Sequence, residues 1–307
     1  MYPGYIMEPM DISSEERKAR AALPLIRFMQ SYIPVSMAQW LLKQGMAHVR
    51  PADGVIHESV SANGVACVWI IPAGRASDQT VLYLHGGGFV YGLTPPHMQM
   101  GAYLAQKTGA RILMVDYRLA PANPFPAALE DCVAAYRWLL QQGTPAGNLA
   151  VAGDSAGGNL TLTTMLKLRE EGLPLPAAAA CLSPVTDLSN KNESRPAIKD
   201  PLLPAKVVRF YNRAYVAGND MRNPLISPVF GDLHGFPRLL VHAGEDEILK
   251  EDAVRIVTLA KAAGVDARLE IYPRMWHVWQ LNLAMPQARQ SMDDLSGFLI
   301  EGRVSGN

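Results

Sequence analysis

The sequence predicts an α/β fold: a mostly parallel sheet covered on both faces by helices, with its chemistry at the carboxyl ends of the strands. Three observations carry this expectation. From about residue 80 onward, short apolar runs of strand type alternate with segments of helical spacing. One such run, Leu149-Ala-Val-Ala152, turns into a helical segment through Gly153-Asp-Ser-Ala-Gly157. Glycines at the first and last positions of that turn let the chain reverse sharply and hold Ser155 strained and exposed, as a nucleophile requires. A third run, from Thr80, leads directly into His85-Gly-Gly-Gly-Phe89. Glycines there remove the side chains that would screen backbone N–H groups, so the segment can aim bare donors at a developing negative charge.

Eight strands are expected, at 55–61, 66–72, 80–85, 111–116, 148–152, 178–183, 238–243 and 268–272. The first two are joined through Ala62-Asn-Gly64, whose Asn-Gly pair suits a tight hairpin turn, so they form an antiparallel pair at one edge. Ala177-Ala-Ala-Ala-Cys-Leu182 is too short to cross a bilayer and fits a central strand pressed between layers. Helical spacing over 159–169 completes the strand, turn and helix around Ser155.

Two segments stand outside this alternation. The first, 1–48, has a helix start with capping-box spacing at Ser13-Ser-Glu-Glu16, then two amphipathic stretches broken by Pro24 and Pro34, the second closed by Gly45. The second, 190–225, begins polar and becomes helical from Ala205. Together they are expected to make a small helical cap over Ser155, with 49–189 and 226–307 as the two parts of the core. Met29, Tyr32, Met37, Trp40, Phe210 and Tyr211 are the candidates for lining an acyl or alcohol pocket, though plain cap-to-core packing would use the same residue types.

A serine attacks only when a base takes its proton and a carboxylate fixes that base. Pro237-Arg-Leu-Leu-Val-His-Ala-Gly-Glu-Asp246 is a strand entering an acidic loop, and Ala267-Arg-Leu-Glu-Ile-Tyr-Pro-Arg-Met-Trp-His277 a strand whose loop carries a histidine. Ser155, Asp246 and His277 are therefore the expected triad, in the chain order that accompanies this turn. Spacing alone decides weakly between Asp246 and its neighbours Glu245, Glu247 and Asp252. Of the other histidines, His242 lies within a strand and is expected to pack. His85 is expected to bond backbone and shape the glycine loop, and His48, His57, His97 and His234 have no strand end to present them.

On these residues the chain resembles the hormone-sensitive-lipase-like bacterial carboxylesterases of the α/β-hydrolase superfamily, over about residues 55–300. The resemblance rests on His85-Gly-Gly-Gly-Phe89, Asp116-Tyr-Arg-Leu-Ala-Pro121 with Pro124-Phe-Pro-Ala-Ala-Leu-Glu-Asp131, Gly153-Asp-Ser-Ala-Gly157, Ser183-Pro-Val-Thr-Asp187, Gly244-Glu-Asp-Glu247 and His277-Val-Trp-Gln-Leu281. It implies an α/β-hydrolase fold, a catalytic aspartate at Asp246, and oxyanion donors at the backbone N–H groups of Gly87, Gly88 and Ala156. It also implies a homodimer formed through a sheet edge. Where the family often has an acidic residue after Leu-Ala-Pro, this chain has Ala122, which leaves Glu130 or Asp131 to partner Arg118.

Composition bounds the alternatives. Twenty-eight basic residues balance 28 acidic ones, so no electrostatic argument favours nucleic acid or an anionic membrane as partner. No stretch has the length of a membrane span or the pattern of a signal peptide, and Cys67, Cys132 and Cys181 lie in apolar patterns, so a reducing cytoplasm is expected. The histidines are scattered, without His-Glu-x-x-His or Cys-x-x-Cys, and neither metal nor cofactor is expected. The function expected is a carboxylic ester hydrolase acting on small short- to medium-chain acyl esters. An amidase or lactonase would use the same residues, and a non-catalytic receptor on the same fold would lack a triad member.

Overall fold

The computed structural model describes residues 5–74, 77–189 and 200–301. Its centre is a nine-stranded sheet in the order β1-β9-β8-β7-β6-β4-β5-β3-β2. The strands are β1 (Tyr5–Ile6), β2 (Val55–Ala62), β3 (Val65–Pro72), β4 (Thr80–Leu84), β5 (Arg111–Val115), β6 (Leu149–Asp154), β7 (Ala178–Leu182), β8 (Arg238–Gly244) and β9 (Ala267–Tyr272). Pairing is parallel except where β3 meets β2 and β5. The expected hairpin is present: Ala62 pairs with Val65, and Asn63 and Gly64 both take positive φ, 51° and 90°, between them.

Nine strands rather than eight are found because β1 is a two-residue strand, exposed at both positions, that pairs with β9. Its sequence has no alternation to read. The backbone ladder, continued by Met7 N–H to Ile271 O at 2.9 Å, supplies what pattern does not.

β4, β6 and β7 are buried on both faces, which explains their continuous apolar runs. Along β6, Leu149 and Val151 enter one core while Ala150 and Ala152 enter the other. Helices α4 (Ala127–Gln141), α5 (Ala156–Glu170) and α7 (Lys250–Ala262) cover the first face, and α3 (Pro95–Thr108) and α8 (Pro286–Ile300) the second. Arg118 finds its partner in Asp131, which takes both its guanidinium, at 2.8–3.0 Å, and its backbone N–H; Glu130 adds one contact at 3.2 Å. Among the described residues no helix is long and apolar enough to cross a membrane.

The two extra segments form α1 (Ser14–Tyr32), α2 (Val35–Ala47) and α6 (Ala205–Val216). Residues 190–199 of the second segment lie outside the described residues. α1 runs through Pro24 instead of breaking there, although an interior proline costs about 3 kcal/mol. Buried Glu16 and Leu23 before it, and Arg27 bonded to the Asp200 carbonyl after it, hold the helix on both sides. Pro34 does separate α1 from α2, while α2 continues past Gly45 to Ala47. Only half of the expected capping box forms: Ser13 Oγ accepts from Glu16 N–H at 3.0 Å, but the Glu16 carboxylate turns into the protein.

Buried Asn159 on α5 joins the chain on either side of the second segment, because its amide donates to Val185 O and Ile226 O, both at 2.9 Å. Asn159→Ala strips two buried carbonyls of their donor and is expected to lower unfolding free energy by roughly 2–4 kcal/mol, measured by urea denaturation.

Candidate active site

Ser155 stands at the junction of β6 and α5 with φ 53° and ψ −114°, a strained conformation for a residue with a side chain. The turn is held by Ser155 N–H donating to Leu182 O at 2.8 Å, and by contact so close that no side chain fits. A Cβ on Gly157 would lie 1.8 Å from Leu84 O, and one on Gly153 2.4 Å from Gly157 O. The three glycines of the other loop are likewise excluded from having side chains. A Cβ would meet the Asp154 carboxylate at Gly86, the Tyr91 carbonyl at Gly87 and the Tyr211 ring at Gly88, all within 2.5 Å.

Asp154, next to the serine, joins the two loops. Its Oδ1 accepts from Gly86 N–H and from the Tyr83 hydroxyl, both at 3.0 Å, and His97 Nε2 lies 3.3 Å from Oδ2. Burial alone would raise its pKa, but His97 and the Gly86 N–H together hold it below the usual aspartate value. Sequence reasoning set His97 aside for lack of a strand end. Its signal was the helix start Thr94-Pro-Pro-His97, where His97 closes a capping box with Thr94 and so points its other nitrogen at Asp154. His85 does bond backbone, its Nδ1 2.7 Å from Gly86 O, and its ring stacks on Tyr117 at 4.1 Å. Burial, then repulsion from His97, drives its pKa down to about 3, so it is a neutral prop.

The structure brings His277 to Ser155, with Nε2 2.8 Å from Oγ. It does not bring Asp246 to His277. The Asp246 side chain is 43% exposed and its Oδ2 meets Arg20 Nη2 at 3.4 Å. The next residue, Glu247, is fully buried, with Oε2 3.7 Å from His277 Nδ1. Successive side chains of this loop leave it in different directions, so a shift of one position exchanges a surface carboxylate for an internal one. Ser183 holds the internal one, its hydroxyl donating to Glu247 Oε2 at 2.5 Å while its Oγ accepts from Val278 N–H at 3.2 Å.

Burial alone would lower the His277 pKa. The Glu247 carboxylate, with Asp200 and Asp154 further off, outweighs it and holds the imidazole above its ordinary value of 6.5. Burial in turn raises the pKa of Glu247, against the pull of His277 and Ser183.

A cavity of about 200 Å³ opens over Ser155, walled by Gly86, Gly87, Gly88, His277 and the residues Gln30, Leu42, Leu202, Leu203 and Tyr211 from the two extra segments. Of the six expected lining residues only Tyr211 faces this cavity. Tyr32 and Phe210 line a neighbouring one of about 400 Å³, which shares Gln30, Tyr91 and Tyr211 as walls. Met29, Met37 and Trp40 are exposed to solvent: α1 buries only Glu16 and Leu23, and α2 buries no residue at all. The backbone N–H groups of Gly87, Gly88 and Ala156 have no hydrogen-bond acceptor among the described residues, and Gly87 and Gly88 line the cavity. That of Ala156 opens α5, whose dipole places partial positive charge there.

The family model described as alpha/beta hydrolase fold matches residues 81–281. The chain belongs to the α/β-hydrolase family. Within it the chain groups by sequence and structural similarity with the carboxylic ester hydrolases of the bacterial hormone-sensitive-lipase type. It is 42% identical over 234 residues to an acetyl-hydrolase of Streptomyces hygroscopicus, covering 75% of this chain and 78% of that one. An esterase of Acinetobacter venetianus is 33% identical over 233 residues, 74% of this chain and 77% of its own. Among solved structures, an esterase from the bacterial hormone-sensitive lipase family superposes with a TM-score of 0.87 at 40% identity, covering 95% of this chain and 99% of that one. EstE5 soaked with p-nitrophenyl butyrate superposes with a TM-score of 0.85 at 35% identity, over 94% and 98% of the two chains.

Proposed function

We propose that the chain hydrolyses short-chain acyl esters through Ser155, His277 and Glu247, with Glu247 in the place that spacing suggested for Asp246. The observation that carries this reading is the continuous line from Ser155 Oγ through His277 to a buried carboxylate. His277 Nε2 takes the proton as Oγ attacks the ester carbonyl, and Glu247 stabilises the imidazolium that results. Its 3.7 Å separation exceeds a hydrogen bond, so in the resting site the coupling is by charge; such contacts tighten when substrate binds.

The tetrahedral oxyanion sits against the N–H groups of Gly87, Gly88 and Ala156, each worth about 3–4 kcal/mol in the transition state. Protonated His277 then returns its proton to the departing alcohol, and water cleaves the acyl-enzyme by the same steps. The acyl group occupies the cavity over Ser155, whose roughly 200 Å³ is smaller than the ~300–1,000 Å³ typical of sites for drug-sized ligands. That volume supports short acyl chains over medium ones. The names of the acetyl-hydrolase relative and the butyrate-soaked neighbour agree with this preference. The two extra segments act as a cap, since five of their residues complete the cavity wall.

Hydrolysis of p-nitrophenyl acetate, butyrate, octanoate and palmitate is the direct test. Turnover is expected to be greatest on acetate or butyrate and to fall at least about 10⁴-fold in Ser155→Ala. A peak at octanoate or longer contradicts the pocket assignment, and unchanged turnover in the variant contradicts the nucleophile. For the carboxylate, Glu247→Gln is expected to lower kcat by about 10³-fold or more and Asp246→Asn by less than tenfold; the reverse ranking restores Asp246 to the triad. Only neutral imidazole accepts the serine proton, and the His277 pKa is raised, so kcat/KM is expected to climb with pH through a midpoint above 6.5. A midpoint below that value in a pH–rate profile removes Glu247 as the dominant charge facing His277.

A further inference from the structure

The residues flanking Glu247 and His277 are gripped from the cap side by groups that touch neither substrate nor reacting atoms. On the sheet side the two catalytic loops are already joined, by Glu245 N–H to Tyr272 O and Asp246 N–H to Met275 O, both at 2.9 Å. On the other side lies Arg20 of α1. Its Nη2 meets Asp246 Oδ2 at 3.4 Å and donates to the Arg274 carbonyl, and its guanidinium lies 5.2 Å from the centre of the Trp276 ring. Asp246 precedes Glu247 and Trp276 precedes His277, so one side chain contacts the neighbours of both partners.

Arg20 is itself fixed. Fully buried Glu16, one turn earlier, accepts from Arg20 Nε at 3.2 Å, from Arg274 Nη2 at 3.3 Å and from Gln287 Nε2 at 2.8 Å. The second cap segment grips the same loop one residue beyond Glu247. Buried Asp200 accepts from Ile248 N–H at 3.0 Å through Oδ2, and through Oδ1 from the N–H groups of Leu202 and Leu203, which wall the cavity. Arg27 of α1 donates to the Asp200 carbonyl and so ties the two grips together.

We propose that Arg20, seated on Glu16, and Asp200 are positioning residues that set the separation of Glu247 from His277, so that seating of the cap governs the competence of the catalytic pair. This rests on the reading of Glu247 and His277 as acid and base. The physical warrant is the 3.7 Å gap: the pair has no hydrogen bond of its own, so its separation is set by what holds the two loops, which is Ser183 and the sheet-side bonds on one side and Arg20 and Asp200 on the other. The charged and titratable groups facing His277 are Glu247, Asp200 and Asp154, with Ser155 at Nε2. Arg20 acts at one remove from all of them.

Arg20→Met separates positioning from charge. If the clamp sets the pair, its loss lets Glu247 withdraw from His277 and the imidazole loses the charge that raises its pKa. On p-nitrophenyl acetate kcat is then expected to fall about tenfold, with KM within about twofold, and the acid midpoint of kcat/KM to move to lower pH. Removing a cation from an unmoved site does the opposite and raises that midpoint. A higher midpoint, a change in KM alone, or unchanged kcat and midpoint each overturns the proposal. Thermal melting of the variant shows whether it folds. If it does not, Arg20→Lys, which keeps the charge but is too short to reach all three partners, carries the test with a smaller loss of kcat and the same direction of midpoint shift. Glu247→Gln runs beside them: near-normal kcat in that variant fails the assignment of the acid, whatever the Arg20 variants do.

Discussion

The geometry around Ser155 depends on one buried carboxylate. Asp154 sits between the strand that ends at Ser155 and the loop that carries Gly87 and Gly88, accepting from Gly86 N–H, the Tyr83 hydroxyl and His97. A charged carboxylate in a dry interior is costly unless donors surround it. Here the donors come from β4, the glycine loop and α3, so solvating Asp154 forces those elements into one arrangement. Ser155 and the expected oxyanion donors are thereby set at a fixed spacing before any substrate arrives, which is the condition for electrostatic stabilisation without reorganisation. Tyr117, stacked on His85 and donating to its carbonyl, braces the same loop from the far side.

The other half of the site is organised more loosely. Ser183 is the only side chain among the described residues that hydrogen-bonds Glu247, and it also accepts from Val278 N–H, so a single hydroxyl registers the carboxylate loop against the histidine loop. Ser183 itself takes a positive φ of 49°, local strain that places its hydroxyl between the two loops. The Ser155 side of the site is thus locked by a charged network and close backbone contact. The side of Glu247 and His277 is held by one neutral hydroxyl, by the sheet-side backbone bonds and by contacts from the two extra segments.

The proposed cap shows how poorly an apolar residue predicts its own environment. α1 and α2 bury little, and Leu25, Phe28, Met29, Tyr32, Met37 and Trp40 remain exposed, while the cavity wall takes Gln30, Leu42, Leu202, Leu203 and Tyr211 from the two segments. Hydrophobic periodicity says which face of a helix is apolar and not which of several apolar residues points at a given atom. Glu16 carries the opposite lesson. A charged residue at a helix start looks like a solvent-facing cap, yet it is the buried anchor of α1, because Arg20, Arg274 and Gln287 come together around it from positions far apart in the chain.

What the sequence determined by itself was whatever depends on local pattern. The strands, the Asn-Gly hairpin, the elbow at Ser155, the glycine loop and the histidine at a strand end are short-range features, each enforced by sterics or periodicity within a few residues. Tertiary structure decided the rest. It added β1, which has no pattern and exists only by pairing with β9. It carried α1 through Pro24 by contacts on both sides. It turned Glu247 inward and left Asp246 at the surface with Arg20, a difference of one residue that no spacing rule resolves. The physical reason is common to all three: each depends on partners remote in the chain, Ser183 for Glu247, Arg20 for Asp246, Asp200 for Arg27 and β9 for β1, and those partners become neighbours only once the chain has folded.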